Sequence, residues 1–280
     1  MTEESFSSEA PTPPPLPPPP VPPTNRWRWW IHLLLIGTYP FLGGLVRSHN
    51  PAGGPAFSGN TTGLLTVSTL EILLFATVFT LGWLASRASW EELSLRWRPG
   101  WWVVPLGVSY SVAIRFALLV IVMVIGVVLV ATRSVTVETL QGFMETNSPD
   151  VEVLVSVSAL QHNSAYFWLM LTLVSFVLAG LREELWRGAM LAGMRALWPK
   201  GFGSLRGQYL AVTLIAILFG TMHLAMGPVA AGAAGIVGWF LGVIIVLHRS
   251  IWPAVIAHGM FDATTFAILP WALEKLQHYR

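Results

Sequence analysis

Along most of this chain, apolar residues come in long runs and do not alternate with polar ones. Seven runs, near 29–47, 63–86, 113–132, 165–197, 209–226, 229–248 and 251–270, reach or approach the roughly 20 residues a helix needs to cross a bilayer. Backbone polar groups in lipid must bond within their own segment, so such runs predict helices. The stretch "WWVVPLGVSYSV" at 101–112 is too short to span by itself, and Pro105 interrupts it. It reads as an interfacial or re-entrant piece, or as an eighth span if it crosses. Residues 271–280, "WALEKLQHYR", read as a short interfacial helix, and no internal repeat is visible. The expected fold is all-α, a polytopic integral membrane bundle of seven or eight transmembrane helices over residues 26–280.

Residues 1–25 break the pattern with "APTPPPLPPPPVPPTN". Proline lacks an amide donor and fixes φ, so this segment predicts a polyproline-like or disordered tail. It reads as a solvated spacer, with docking of a proline-binding partner as the other use. Glu3, Glu4 and Glu9 stand where a signal peptide carries basic residues, and no apolar run follows them, so a signal peptide is not expected.

Composition agrees with a lipid solvent. Charged residues make up 11% of the chain and hydrophobic ones 54%, whereas a soluble domain carries roughly 25% charged residues. Tryptophans cluster where a membrane interface would hold them, in "RWRWW" at 26–30, "RPGWW" at 98–102 and "SIWP" at 250–253. A net charge of +2 gives no argument for nucleic acid. The absence of cysteine removes disulfides, thiolate metal sites and cysteine nucleophiles.

The charges do orient the chain. Arg26 and Arg28 precede the first run, and Arg87, Arg96 and Arg98 follow the second. Arg195, Lys200 and Arg206 separate the fourth from the fifth, and Arg249 follows the sixth. The loop 133–164 instead holds Glu138, Glu145, Asp150 and Glu152 against one arginine. The positive-inside rule then predicts a cytoplasmic N-terminus and an external 133–164 loop. The expected location is a bacterial cell membrane, with lipid as the surrounding partner.

Three places carry polar groups that a span should not contain, each costing on the order of 3 kcal/mol at the bilayer centre. The first is "LREELWRGAM" at 181–190. Arg187 is four residues after Glu183 and three after Glu184, so either carboxylate can pair with it on a helix. The two cannot be placed equally, because adjacent residues point about 100° apart at 3.6 residues per turn. One carboxylate is tied and the other turns elsewhere, while Arg182 can snorkel toward the interface. The second place is "FGTMH", which sets His223 well inside the fifth run. The third is "HGMFD", which sets His258 and Asp262 on one helical face. Together they suit general acid–base chemistry on water in a membrane cavity. They also suit a proton or ion pathway, or a metal-dependent hydrolase with His223, His258 and a carboxylate as ligands. No GxSxG and no HExxH accompanies them.

In "EELWR" (183–187), "FGTMH" (219–223) and "HGMFD" (258–262) the chain resembles the type II CAAX prenyl endopeptidases and their bacterial relatives, the CAAX-protease and bacteriocin-processing (CPBP, or Abi) family. The resemblance covers about 160–270, with the three motifs in family order. One spacing departs: the family places three residues between the second glutamate and the arginine, and this chain has two, Leu185 and Trp186. Anchored on "RG", Glu183 takes the second glutamate's place; anchored on the pair, it takes the first. The resemblance implies a metal-independent intramembrane glutamic endopeptidase that needs no cofactor and acts on a peptide or protein substrate. It implies that Glu183 or Glu184, with His223, activates water. It gives His258 and Asp262 to the oxyanion side and lets Arg187 hold the other glutamate. Gly238 and Gly242, at GxxxG spacing, would let the sixth span pack closely beside that site.

Overall fold

The computed structural model describes residues 25–48, 56–57 and 59–278; the proline-rich tail up to Thr24 lies outside the described residues. Helices make the whole architecture, and the described residues contain no strand. Helix α1 spans Arg26–Ser48 and α2 Thr61–Ser86. A 3-10 turn at Gly100–Trp102 leads into α3, Val103–Ala131. The short helices α4 (Val137–Thr146) and α5 (Val157–His162) follow. One continuous rod comprises α6 (Ser164–Leu169), a π-helical run (Met170–Arg182) and α7 (Glu183–Leu197). Helix α8 covers Pro199–Phe202, α9 Leu205–Met222, α10 Pro228–His248 and α11 Trp252–His278.

Five of these units are long and apolar enough to cross a membrane: α2, 100–131, 164–197, α9 and α10. The expected seven or eight spans are therefore not reached on that basis; α1 and α11 are long helices outside the five. Two local expectations are corrected. Residues 101–112 form no separate interfacial piece but the start of the helical unit 100–131. Pro105 falls in the first turn of α3, where a missing N–H costs nothing. Residues 271–278 likewise continue α11 through Pro270 and are not a helix of their own.

Burial shows which helices are central. Residues Trp186 to Met194 of α7 are buried on every side, the pattern of a helix surrounded by others. Helix α3 is the opposite case. Its buried residues are Val103, Gly107, Ser111 and Ile114, a single narrow stripe, while Val122 to Ile125 and Val127 are all exposed apolar side chains. An apolar surface of that extent marks a face made for lipid. The stripe meets α11 closely: a Cβ on Gly107 would lie 2.4 Å from Ile256 Cβ.

The loops sort to two ends. Arg26 donates to the Leu197 carbonyl (2.8 Å) and Arg28 to the Ala85 carbonyl (2.8 Å). The start of α1 therefore lies against the ends of α2 and α7, where guanidinium groups satisfy terminal carbonyls. Ile251 N–H donates to Ser94 O (2.9 Å), which brings the 87–99 loop and the start of α11 to the same end. At the other end, Asp150 N–H donates to Met226 O (3.1 Å), joining the acidic loop to the α9–α10 turn. Basic and acidic loops thus occupy opposite poles of the bundle.

This arrangement predicts a sidedness. Single Ser148→Cys and Ser204→Cys variants, in this cysteine-free chain, should differ in labelling by an impermeant thiol reagent on intact cells. Equal labelling of both would contradict the fold across α6–α7.

Candidate active site

The rod 164–197 changes its winding just before the two glutamates. Over Met170–Arg182 it is π-helical, and Ser175 Oγ donates to the carbonyl five residues back, Met170 O, at 2.8 Å. Close crossing with α11 accompanies this. A Cβ on Gly180 would lie 2.9 Å from Val255 O, and one on Gly259 would lie 2.4 Å from the Phe176 ring. Only glycine allows such an approach. Long π runs are rare and concentrate at functional sites. Here the run delivers Glu183 and Glu184 to the first turn of α7, facing α11.

The two carboxylates have unequal surroundings. The Glu184 side chain is 0% exposed and Arg187 1%. Arg187 Nη1 donates to Glu184 Oε1, an i,i+3 pair, so the helix uses this spacing and not the i,i+4 pair from Glu183. His258 Nδ1 lies 2.9 Å from the same Oε1. That contact requires the proton on Nδ1, since a carboxylate only accepts. The Arg187 guanidinium also stacks over the Phe219 ring at 4.8 Å, a cation–π contact. Gly238 makes room for it: a Cβ there would come within 2.9 Å of Phe219 Cδ1 and 3.5 Å of Arg187 Nη2. Gly242 packs against Val212 in the same way, so the GxxxG expectation for α10 holds. Glu184 Oε2, Arg187 Nε and Arg187 Nη2 are buried and make no hydrogen bond to the described residues.

Glu183 is different. Its side chain is 21% exposed, and Oε2 stands 3.8 Å from His258 Nε2. Asp262 Oδ2 stands 3.9 Å from the same nitrogen, with the side chain 27% exposed. Both separations exceed a hydrogen bond, so His258 Nε2 is bonded to neither carboxylate, and both side chains stay partly exposed. Glu183 Oε1 accepts from Arg182 Nη2 at 3.2 Å. Arg182 does not snorkel. It is largely buried and also bonds Glu71 of α2.

His223 departs from expectation. It does not sit within a span but ends α9, as the C-cap with φ −94° and ψ 4°. Gly227 at φ +101° and Pro228 at the first position of α10 then turn the chain. His223 Nδ1 contacts Phe219 O at 2.8 Å, and its ring packs 4.6 Å from Phe219. Phe219 in turn lies 6.4 Å from His258. Among the described residues no hydrogen bond or ion pair joins His223 to a carboxylate, although it interacts electrostatically with Asp262. Glu183, Glu184, Arg187, His258 and Asp262 thus form one cluster, with His223 at its edge across the Phe219 ring. No group of three or more histidine, aspartate or glutamate side chains among the described residues is arranged to hold a metal ion.

Two charged residues at or beside this cluster were not singled out from sequence. Glu71 is the one charged residue of 61–86, and Arg115 the one charged residue of 100–131. Each was visible as a lone charge in an apolar run. Arg115 joins α3 to α11 by bonding Phe261 O and Thr264, donating to Ser111 Oγ (2.8 Å), and lying 4.1 Å over the Phe261 ring.

Residues 165–264 match a family model described as type II CAAX prenyl endopeptidase, Rce1-like. The matched segment contains all three sequence motifs. Neither the curated proteins nor the solved structures provide a match.

The unequal burial generates a prediction about folding. Glu184→Gln leaves Arg187 buried without its counter-charge, and should destabilise the protein by about 3–5 kcal/mol. Glu183→Gln should change stability by well under half of that. Unfolding in mild detergent measures both, and equal losses would contradict the assignment.

Proposed function

We infer that this chain, whose residues 165–264 match the Rce1-like CAAX protease model, is a membrane protease that hydrolyses peptide bonds of membrane-associated peptides or proteins with Glu183 as its base. The observation that carries this reading is the asymmetry of the glutamate pair: Glu184 is locked by Arg187 and His258, whereas Glu183 Oε2 is open beside His258. We also take α1 and α11 as spans, giving seven. At 1.5 Å per residue α11 is about 40 Å long, more than the roughly 30 Å of bilayer hydrocarbon. The arginine-rich pole is placed in the cytoplasm.

In the proposed reaction, Glu183 takes a proton from water, assisted by His223, as the water oxygen attacks the carbonyl carbon. The carbonyl oxygen becomes an oxyanion. His258, as imidazolium, donates from Nδ1 to Glu184 and from Nε2 to the oxyanion, with Asp262 orienting the ring. Collapse breaks the C–N bond, and the proton held by Glu183 passes to the leaving amine. Arg187 takes no part in proton transfer; it holds Glu184 in place, so that Glu184 holds His258. No step requires a metal ion.

Purified protein assayed against a peptide library tests this. Glu183→Gln should fold and lose about 10²–10⁴-fold in turnover, the usual worth of a general base. Folded Glu183→Gln that still cleaves, with Glu184→Gln folded and inactive, would reverse the two roles. If both variants fold and cleave, the glutamate-base mechanism fails. Activity should also survive EDTA and phenanthroline. Loss on chelation with recovery on adding zinc would bring the metal-dependent reading forward.

A further inference from the structure

The fork of Arg182 is shared between two helices. Nη1 bonds Glu71 of α2, and Nη2 bonds Glu183 Oε1 at 3.2 Å. Tyr39 of α1 interacts electrostatically with the same guanidinium. Glu71 is no surface acid that happens to be near. It falls on the buried stripe of α2, in register with Leu64, Ser68, Phe75, Val78 and Gly82, and its side chain is only 14% exposed. A lone carboxylate on such a stripe is kept only where something needs it.

We propose that Glu71 is a positioning residue for Glu183, acting through Arg182; the inference rests on the reading of Glu183 as the base. An arginine beside a carboxylate tends to close on both of its oxygens. Glu71 holds one arm of the fork on α2, so only Oε1 of Glu183 is bound. Oε2 stays directed at His258 Nε2, 3.8 Å away. Glu71 also shares the positive charge of Arg182, so Glu183 does not have that charge to itself. The other charged or titratable groups facing Glu183 are Tyr39 of α1, Glu184 with Arg187 of α7, and His258 with Asp262 of α11, behind which His223 of α9 reaches Asp262.

The test follows the Glu183 carboxyl by infrared titration in detergent, with Glu183→Gln identifying the band, alongside the pH profile of kcat/KM. Glu71→Gln should move the Glu183 midpoint, and the acid limb of the profile, to lower pH by about one unit, a tenfold change in proton affinity. Arg182→Gln should move both to higher pH. Shifts of opposite sign do not arise from loosened packing, which acts on both variants alike. If Glu71→Gln does not fold, Glu71→Asp decides: it keeps the charge one methylene farther back and should give a smaller shift to lower pH. An unmoved midpoint in folded Glu71→Gln, or in Glu71→Asp where only that folds, would overturn the proposal. A shifted midpoint in Glu71→Gln, when the wild-type protein cleaves nothing, would support the Arg182 linkage and sink the protease reading instead. Cleavage with an unshifted midpoint would do the reverse.

Discussion

A fully buried ion pair, Glu184 with Arg187, is the constraint around which the rest is arranged. Neither group has water to solvate it, and lipid offers nothing in exchange. Such a pair depends on what its neighbours supply, and here they supply part of it, since Glu184 Oε2, Arg187 Nε and Arg187 Nη2 make no hydrogen bond among the described residues. His258 supplies one contact by bonding Glu184 at 2.9 Å, and the Phe219 ring supplies another by lying under the guanidinium. Gly238 leaves the space that both occupy. The pair therefore draws α7, α9, α10 and α11 to one point.

That point determines what the adjacent glutamate can do. Two carboxylates one residue apart would share a role on a uniform surface. Here the winding changes from π to α immediately before them, and one faces inward while the other faces the open side. Glu184 is engaged by Arg187 and His258. Glu183 keeps one oxygen with Arg182 and presents the other toward His258 and Asp262. The same division recurs one layer out, where Arg182 is split between Glu183 and Glu71. A polar network inside a membrane protein is expensive, and this one extends from α1 and α2 to α11 with the two arginines 182 and 187 as its nodes.

Much of this was legible in the sequence, for reasons that can be named. The apolar runs announced helices because unbroken runs of about 20 residues match a spanning helix, and α2, α9 and α10 begin close to where the runs did. The stretches around Glu183, His223 and His258 stood out because charges and histidines there are costly. Other features were hidden. The π winding over 170–182 departs from a 3.6-residue count, so the facing of Glu183 and Glu184 could not be derived by counting, and the i,i+3 pairing emerged only in the fold. The end of α9 at Met222 depends on Gly227 and Pro228, which the apolar count passed over. Pro105 looked like an interruption because a first-turn proline and a mid-helix proline read alike until the start of the helix is known. Glu71 was overlooked because Arg182, which bonds it, lies 111 residues away.

The central claim is that Glu184 and Arg187 are a structural couple and that catalysis belongs to the neighbouring carboxylate. A double-mutant cycle on stability, combining Glu184→Gln with Arg187→Met, measures that coupling directly. The account predicts that the double variant loses less than the sum of the two singles, with a coupling of about 2–3 kcal/mol, the upper range for groups in one buried network. Losses that add to within about 0.5 kcal/mol would show two independent side chains and contradict it.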